Sequence, residues 1–189
     1  MKSVMLSIRP KWCEKIASGE KTIEVRKTKP KLETPFKCYI YCTSGRPDLN
    51  IPISPERLMQ DYLDTGSMQS LNCPIGNGKV IGEFTCDRVY ELAPLNHAPD
   101  DVEKQACLTR EEIANYLKGT GYGWHIVGLR IYDQPRELTE FRRLCPNDLY
   151  CEACAMYSNN NGICNNGALP LRRPPQSWCY VEEWEENNG

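Results

Sequence analysis

Apolar and polar positions along the chain alternate in short runs, and the period changes from run to run. Residues 4–8 place Val4, Leu6 and Ile8 on one parity and Met5 and Ser7 on the other, which predicts a first strand. Residues 10–18 switch to helical spacing. Pro10 suits a first turn, Trp12, Cys13, Ile16 and Ala17 form one apolar stripe, and Gly19 stands where a left-handed cap is expected. Residues 22–26 return to period two. Ile23 and Val25 point to one face, Thr22, Glu24 and Arg26 to the other, and Lys21 lies at the turn where helix gives way to strand. Aromatic and small apolar residues at 36–43 predict a third strand, with Cys38 and Cys42 as small buried hydrophobes.

Further strands are predicted over 79–92, with Gly82 as a bend or bulge, over 122–132 and over 177–183. A helix follows the capping box Thr109-x-x-Glu112, burying Ile113, Tyr116 and Leu117 and ending at Gly119. A short turn or helix is expected over 136–141. Residues 45–77 and 142–175 break the pattern with glycine and proline and read as two loop-rich insertions, the first holding a helix near 55–63. Short strands with only a few helices argue for a closed or partly open β-barrel with peripheral helices, an α+β arrangement, and not a doubly wound sheet. The 189 residues, 40% of them hydrophobic, suit one domain with insertions.

Gly19-x-Lys21-x-x-Glu24-x-Arg26, behind a short N-terminal helix and before a basic segment, resembles the GxKxxExR signature of the ASCH domains, a branch of the PUA-like superfamily. The resemblance implies a small barrel with a helix beside its mouth. It also implies a cleft lined by Lys21, Glu24 and Arg26, and a role with RNA or a modified nucleoside as partner. Some members of the superfamily are amidohydrolases that deacetylate N4-acetylcytidine with a lysine, a threonine and a glutamate. Lys21 falls on that lysine. Glu24 occupies the threonine's place, Thr22 lies nearby on the same face, and Glu111 or Glu112 stands in the region of the glutamate, although Glu112 is also the capping-box acid.

The residue chemistry leaves several readings open. Lys21 can grip a phosphate or a base carbonyl, or, desolvated, act as nucleophile or general base, with Glu24 carrying protons. The plainer alternative is an ion pair of Glu24 with Arg26 or Lys21, worth about 1 kcal/mol or less if exposed. Trp12, Tyr41, Trp124 and Trp178 are candidate base-stacking aromatics, Trp12 being the one best placed for the core, and the rigid entry Pro174-Pro175 is expected to present Gln176 to a cleft. His125 reads as a satisfied polar residue.

Charge sharpens the picture. The net charge is -2, yet residues 1–46 carry eleven Lys or Arg against four Asp or Glu. A basic first third suits a phosphate-bearing partner, and it also suits an ordinary solvated surface. No long apolar run or export-like leader is present, so a cytoplasmic protein that spans no membrane is expected, with its 11 cysteines reduced or bound to metal. No cofactor is required. Cys145, Cys151, Cys154 and Cys164 have the ligand count for a structural zinc, against the alternative of four free thiols. RNA or nucleoside binding, hydrolysis of an N4-acylcytidine or of RNA, and a protein-interaction module are the three functions these features admit.

Overall fold

The computed structural model describes residues 2–66, 74–92, 98–145, 157–158, 163–164 and 169–184. Its frame is one six-stranded sheet, built from β1 (Lys2–Ile8), β2 (Ile23–Arg26), β3 (Phe36–Cys42), β4 (Val80–Glu91), β5 (Tyr122–Arg136) and, at the end of the chain, β8 (Trp178–Glu182). The strand order is β2-β5-β4-β3-β1-β8, with β1 and β3 parallel and the other pairs antiparallel. Two further short strands, β6 (Tyr157–Ser158) and β7 (Ile163–Cys164), pair only with each other.

The sheet curls because β4 and β5 are long and repeatedly change register. One shift falls at Gly82, where an added Cβ would collide with the Arg130 carbonyl. Both faces of β1 and β3 are covered. Val4, Leu6, Ile8, Cys38, Ile40 and Cys42 face the barrel core with Phe84 and Trp124, while Met5, Tyr39 and Tyr41 face outward onto Phe141, Leu171 and Val181. The buried cysteines behave as small hydrophobes. Burial pushes the Cys86 thiol up to about 12 and raises Cys38 well above its ordinary value, so neither is a thiolate at neutral pH.

Among the described residues, four α-helices decorate the sheet. α1 (Pro10–Ala17) has Pro10 in its first turn, and beyond its end Gly19 takes φ +77°, the left-handed conformation the sequence pattern asked for. α2 (Pro55–Thr65) is capped by Ser54, whose hydroxyl accepts from the Arg57 N–H. It reaches two residues past the expected end, and its Met59 and Tyr62 point outward. α4 (Arg110–Leu117) carries the expected capping box of Thr109 and Glu112. α3 (Val102–Ala106) has no periodic signal in the sequence. It is held by Val102 and Ala106 packing with Ile23, Val25, Ile113 and Leu117. A 3-10 turn at Leu138–Glu140 fills the segment expected to be a short turn or helix.

The first insertion is anchored in the core. Leu49 and Ile51 join the main cluster, and the Asn77 side chain accepts from the Leu49 N–H while donating to the Gly45 carbonyl. No helix among the described residues is long and apolar enough to cross a membrane.

Candidate functional site

The two edges of the sheet are β2 and β8, and among the described residues no backbone ladder joins them. Side chains do instead. The Arg26 Nη2 donates to the Ser7 carbonyl at 2.8 Å, and its Nη1 donates to both the carbonyl and the hydroxyl of Ser177 at 3.2 Å. Trp178 Nε1 donates to Thr28 Oγ1, and the Lys31 N–H to the Tyr180 hydroxyl. At one end of this seam opens a cleft of about 660 Å³. Its walls come from the end of β1 (Ser7 and Ile8, then Arg9), from Trp12 of α1, from Leu108, Glu112 and Tyr116 at α4, from Thr43, and from the strap Pro174–Pro175–Gln176 leading into β8. Ser7 pins that strap by donating to the Pro175 carbonyl.

The polar face of β2 forms the floor. Because Ile23 and Val25 are drawn toward α3 and α4, Glu24 and Arg26 are turned the other way into the cleft, with Lys21 beside them. All three are buried: Lys21 is 2% exposed, Glu24 7% and Arg26 6%. Glu24 sits between the cations, with Oε2 at 3.5 Å from Lys21 Nζ and Oε1 at 3.0 Å from Arg26 Nη2. Lys21 also donates to the Ala106 carbonyl at 2.7 Å and lies 5.1 Å over the Trp12 ring. Burial pulls the Lys21 ammonium below its ordinary value, against the opposing pull of the Glu24 carboxylate. Buried in this way, the triad is no solvated surface pair. Removing Glu24 would leave two cations uncompensated in a desolvated place.

The sequence-predicted residues divide. Lys21, Glu24, Arg26 and Gln176 are brought to one cleft. Trp124 is not; it is 0% exposed and packs edge-on to Phe36 and against Trp178 in the core, so it offers no face for stacking. Tyr41 is 6% exposed and lies in the outward-facing cluster with Met5 and Tyr39. Trp12, expected in the core, is only partly buried and lines the cleft. Tyr116, expected to be buried, is 45% exposed and lines it too. Glu112 is the capping-box acid, and it also lines the cleft. Its carboxylate accepts from the Thr109 N–H, which holds its carboxyl below the ordinary range.

Thr22 is engaged elsewhere, donating to the Gln105 side chain. His125 bonds Asp87 at 2.7 Å, as a satisfied polar residue would. Ser7, Arg9 and Thr43 escaped the sequence reading. Each follows or ends a strand whose neighbours are known only once β1 and β3 are paired. Of the four proposed zinc ligands, Cys145 is described and half-buried, Cys164 is placed through its backbone in β7, and Cys151 and Cys154 lie outside the described residues. Among the described residues, no group of three or more His, Cys, Asp or Glu side chains is arranged to hold a metal ion.

No protein-family model matches the chain, and no curated protein matches it. Its structure is similar to that of ASCH from Zymomonas mobilis, with a TM-score of 0.52, 16% identity, and coverage of 98% of this chain and 88% of that one. A serine-to-alanine mutant of the same Zymomonas mobilis protein aligns with a TM-score of 0.53 and 15% identity, over 98% of this chain and 89% of that one.

Proposed function

Starting from a chain that has the fold of an ASCH domain, we propose that it recognises RNA or a modified nucleoside in the cleft at the seam. The observation that carries this reading is a buried Lys21–Glu24–Arg26 triad on the floor of a 660 Å³ cleft with Trp12 and Tyr116 on its walls. That volume lies within the roughly 300–1,000 Å³ usual for small-molecule sites. A flat ring suits the aromatic walls, since base-on-aromatic stacking contributes about 1–3 kcal/mol per base. Cations stand around the opening. Arg9 lines it, Lys11 lies over Trp12 and Lys27 over Tyr116. They would meet the phosphates of a strand whose base occupies the cleft.

The test is direct binding of a short single-stranded RNA and of free nucleosides, across a salt series, to the wild type and to Tyr116→Ala. RNA affinity should fall with salt and drop about tenfold or more in the variant, in line with the loss of one stacked base. Absence of binding to every nucleoside and RNA tried would overturn the reading.

A second reading is favoured by the lowered Lys21 pKa. A lysine with reduced proton affinity can take a proton from water or attack a carbonyl, and Glu24 at 3.5 Å can shuttle that proton. Amide hydrolysis of an N4-acylcytidine fits this chemistry, as does RNA cleavage. Release of free acid from N4-acetylcytidine, abolished by Lys21→Met, would establish the hydrolase. Binding without product would exclude it for that substrate.

A further inference from the structure

Within the cleft, the three charged groups differ in what they have left to offer a guest. The two Arg26 Nη atoms donate to the Ser7 carbonyl and to the carbonyl and hydroxyl of Ser177, and Nη2 is ion-paired with Glu24 Oε1 at 3.0 Å. Its remaining N–H, on Nε, is buried and makes no hydrogen bond. Lys21 has three donors, and three directions around it are taken, by the Ala106 carbonyl, Glu24 Oε2 and the Trp12 ring. A carboxylate, in contrast, has about four acceptor sites. Each oxygen of Glu24 is ion-paired with one of the two cations, and Glu24 lines the cleft.

Resting on the nucleoside reading above, we propose that Glu24 is the group that reads the ligand and that it reads an N–H donor. The ligand class is a heterocycle that presents an exocyclic amine, a secondary N-substituted amine or an acylated amine N–H to the cleft floor. A phosphate does not belong there. Its oxygens would meet the Glu24 carboxylate, and the cations that would attract it are already turned onto protein acceptors. The signature residues therefore act as a holder and a reader. Lys21 and Arg26 fix the carboxylate in place, and Glu24 accepts from the guest.

The test uses two constitutional isomers, of which only one keeps a hydrogen on the exocyclic nitrogen. N4-ethylcytidine and N4,N4-dimethylcytidine have the same number of carbon atoms, but only the first retains an N–H. Binding of both and of cytidine is measured by calorimetry to the wild-type protein, with ribose 5-phosphate as a competitor. Cytidine and the ethyl derivative should bind comparably, and the dimethyl derivative about ten- to hundredfold more weakly, because a charged acceptor would be desolvated without its donor. Ribose 5-phosphate should not displace cytidine. In Glu24→Gln, checked for folding by circular dichroism, the discrimination should shrink to within about threefold.

Equal binding of the two isomers by the wild type would overturn the proposal while leaving nucleoside recognition standing. So would displacement of cytidine by ribose 5-phosphate, or full discrimination retained in folded Glu24→Gln. Failure of all three nucleosides to bind would remove the nucleoside reading itself, and this proposal with it.

Discussion

Two lysine–carboxylate clusters lie on opposite faces of the same sheet, and they behave in opposite ways. In the cleft, Lys21 shares one carboxylate with Arg26, and its proton affinity is lowered because burial outweighs the pull of Glu24. On the outer face, Lys37 lies between two carboxylates, those of Glu83 and Glu183, at 3.8 and 3.1 Å. Burial pulls Lys37 down as well, but the Glu183 hydrogen bond, with Tyr39 and Glu83, outweighs it, and its proton affinity is raised. The outer cluster, partly open to water, is ordinary surface electrostatics. The inner cluster holds two cations to one anion out of water, where each charge depends on its partner far more than at the surface.

The sharpest way to break this contrast is to remove one acid from each cluster. Glu24→Leu strands two buried cations and should cost about 3–5 kcal/mol in urea unfolding, whereas Glu183→Ala should cost less than about 1 kcal/mol. Equal losses would show that burial does not separate the clusters. A smaller effect is expected from Arg26→Lys, which keeps the charge but replaces a fork reaching Ser7, Ser177 and Glu24 with a single ammonium. About 2 kcal/mol should be lost in the same assay. A loss near zero would mean that charge alone, without the fork, closes the seam.

The smallest effect is a slope. Because the folded-state pKa of Lys21 lies below 10.5, the unfolded chain binds the extra proton between those two values, and this group adds stability as the pH climbs through that window. Lys37 has the opposite sign. Its folded-state pKa lies above 10.5, so its contribution is complete below that value and is lost as the pH rises through the folded one. Unfolding free energies measured up into the alkaline range should therefore lose an upward component in Lys21→Met and a downward one in Lys37→Met. The same sign in both variants would sink the comparison.

How much of this was written plainly in the sequence depends on how many faces of an element are covered. β2 is short and has one apolar and one charged face, so its alternation placed Glu24 and Arg26 together, and the helix before it placed Lys21 and Gly19. β1 and β3 are covered on both sides. Period two then says which residues share a face but not which face is which, and Tyr41 could not be assigned by pattern alone. Trp124 has the same difficulty on β5, where only the packed structure shows it enclosed by Phe36 and Trp178.

Helices failed differently. The apolar stripe of α4, read from spacing, includes Tyr116, yet Ile113 and Leu117 alone meet the core and the tyrosine turns toward the cleft. α3, at five residues, is too short to carry a period and exists because Ile23 and Val25 offer it a surface. Ser7 and Thr43 became site residues through the parallel pairing of β1 and β3, a contact between segments with no local signal.

The seam also has a mechanical meaning. A ladder of backbone bonds is a weld, distributed and stiff, but β2 and β8 are fastened by a clasp of a few side-chain hooks at Arg26, Trp178 and Tyr180. The cleft opens at one end of that clasp, and Arg26 belongs to both. A guest in the cleft, if it binds as proposed, would rest on the same arginine that fastens the seam, so the hooks that close the sheet would also be part of the floor beneath it.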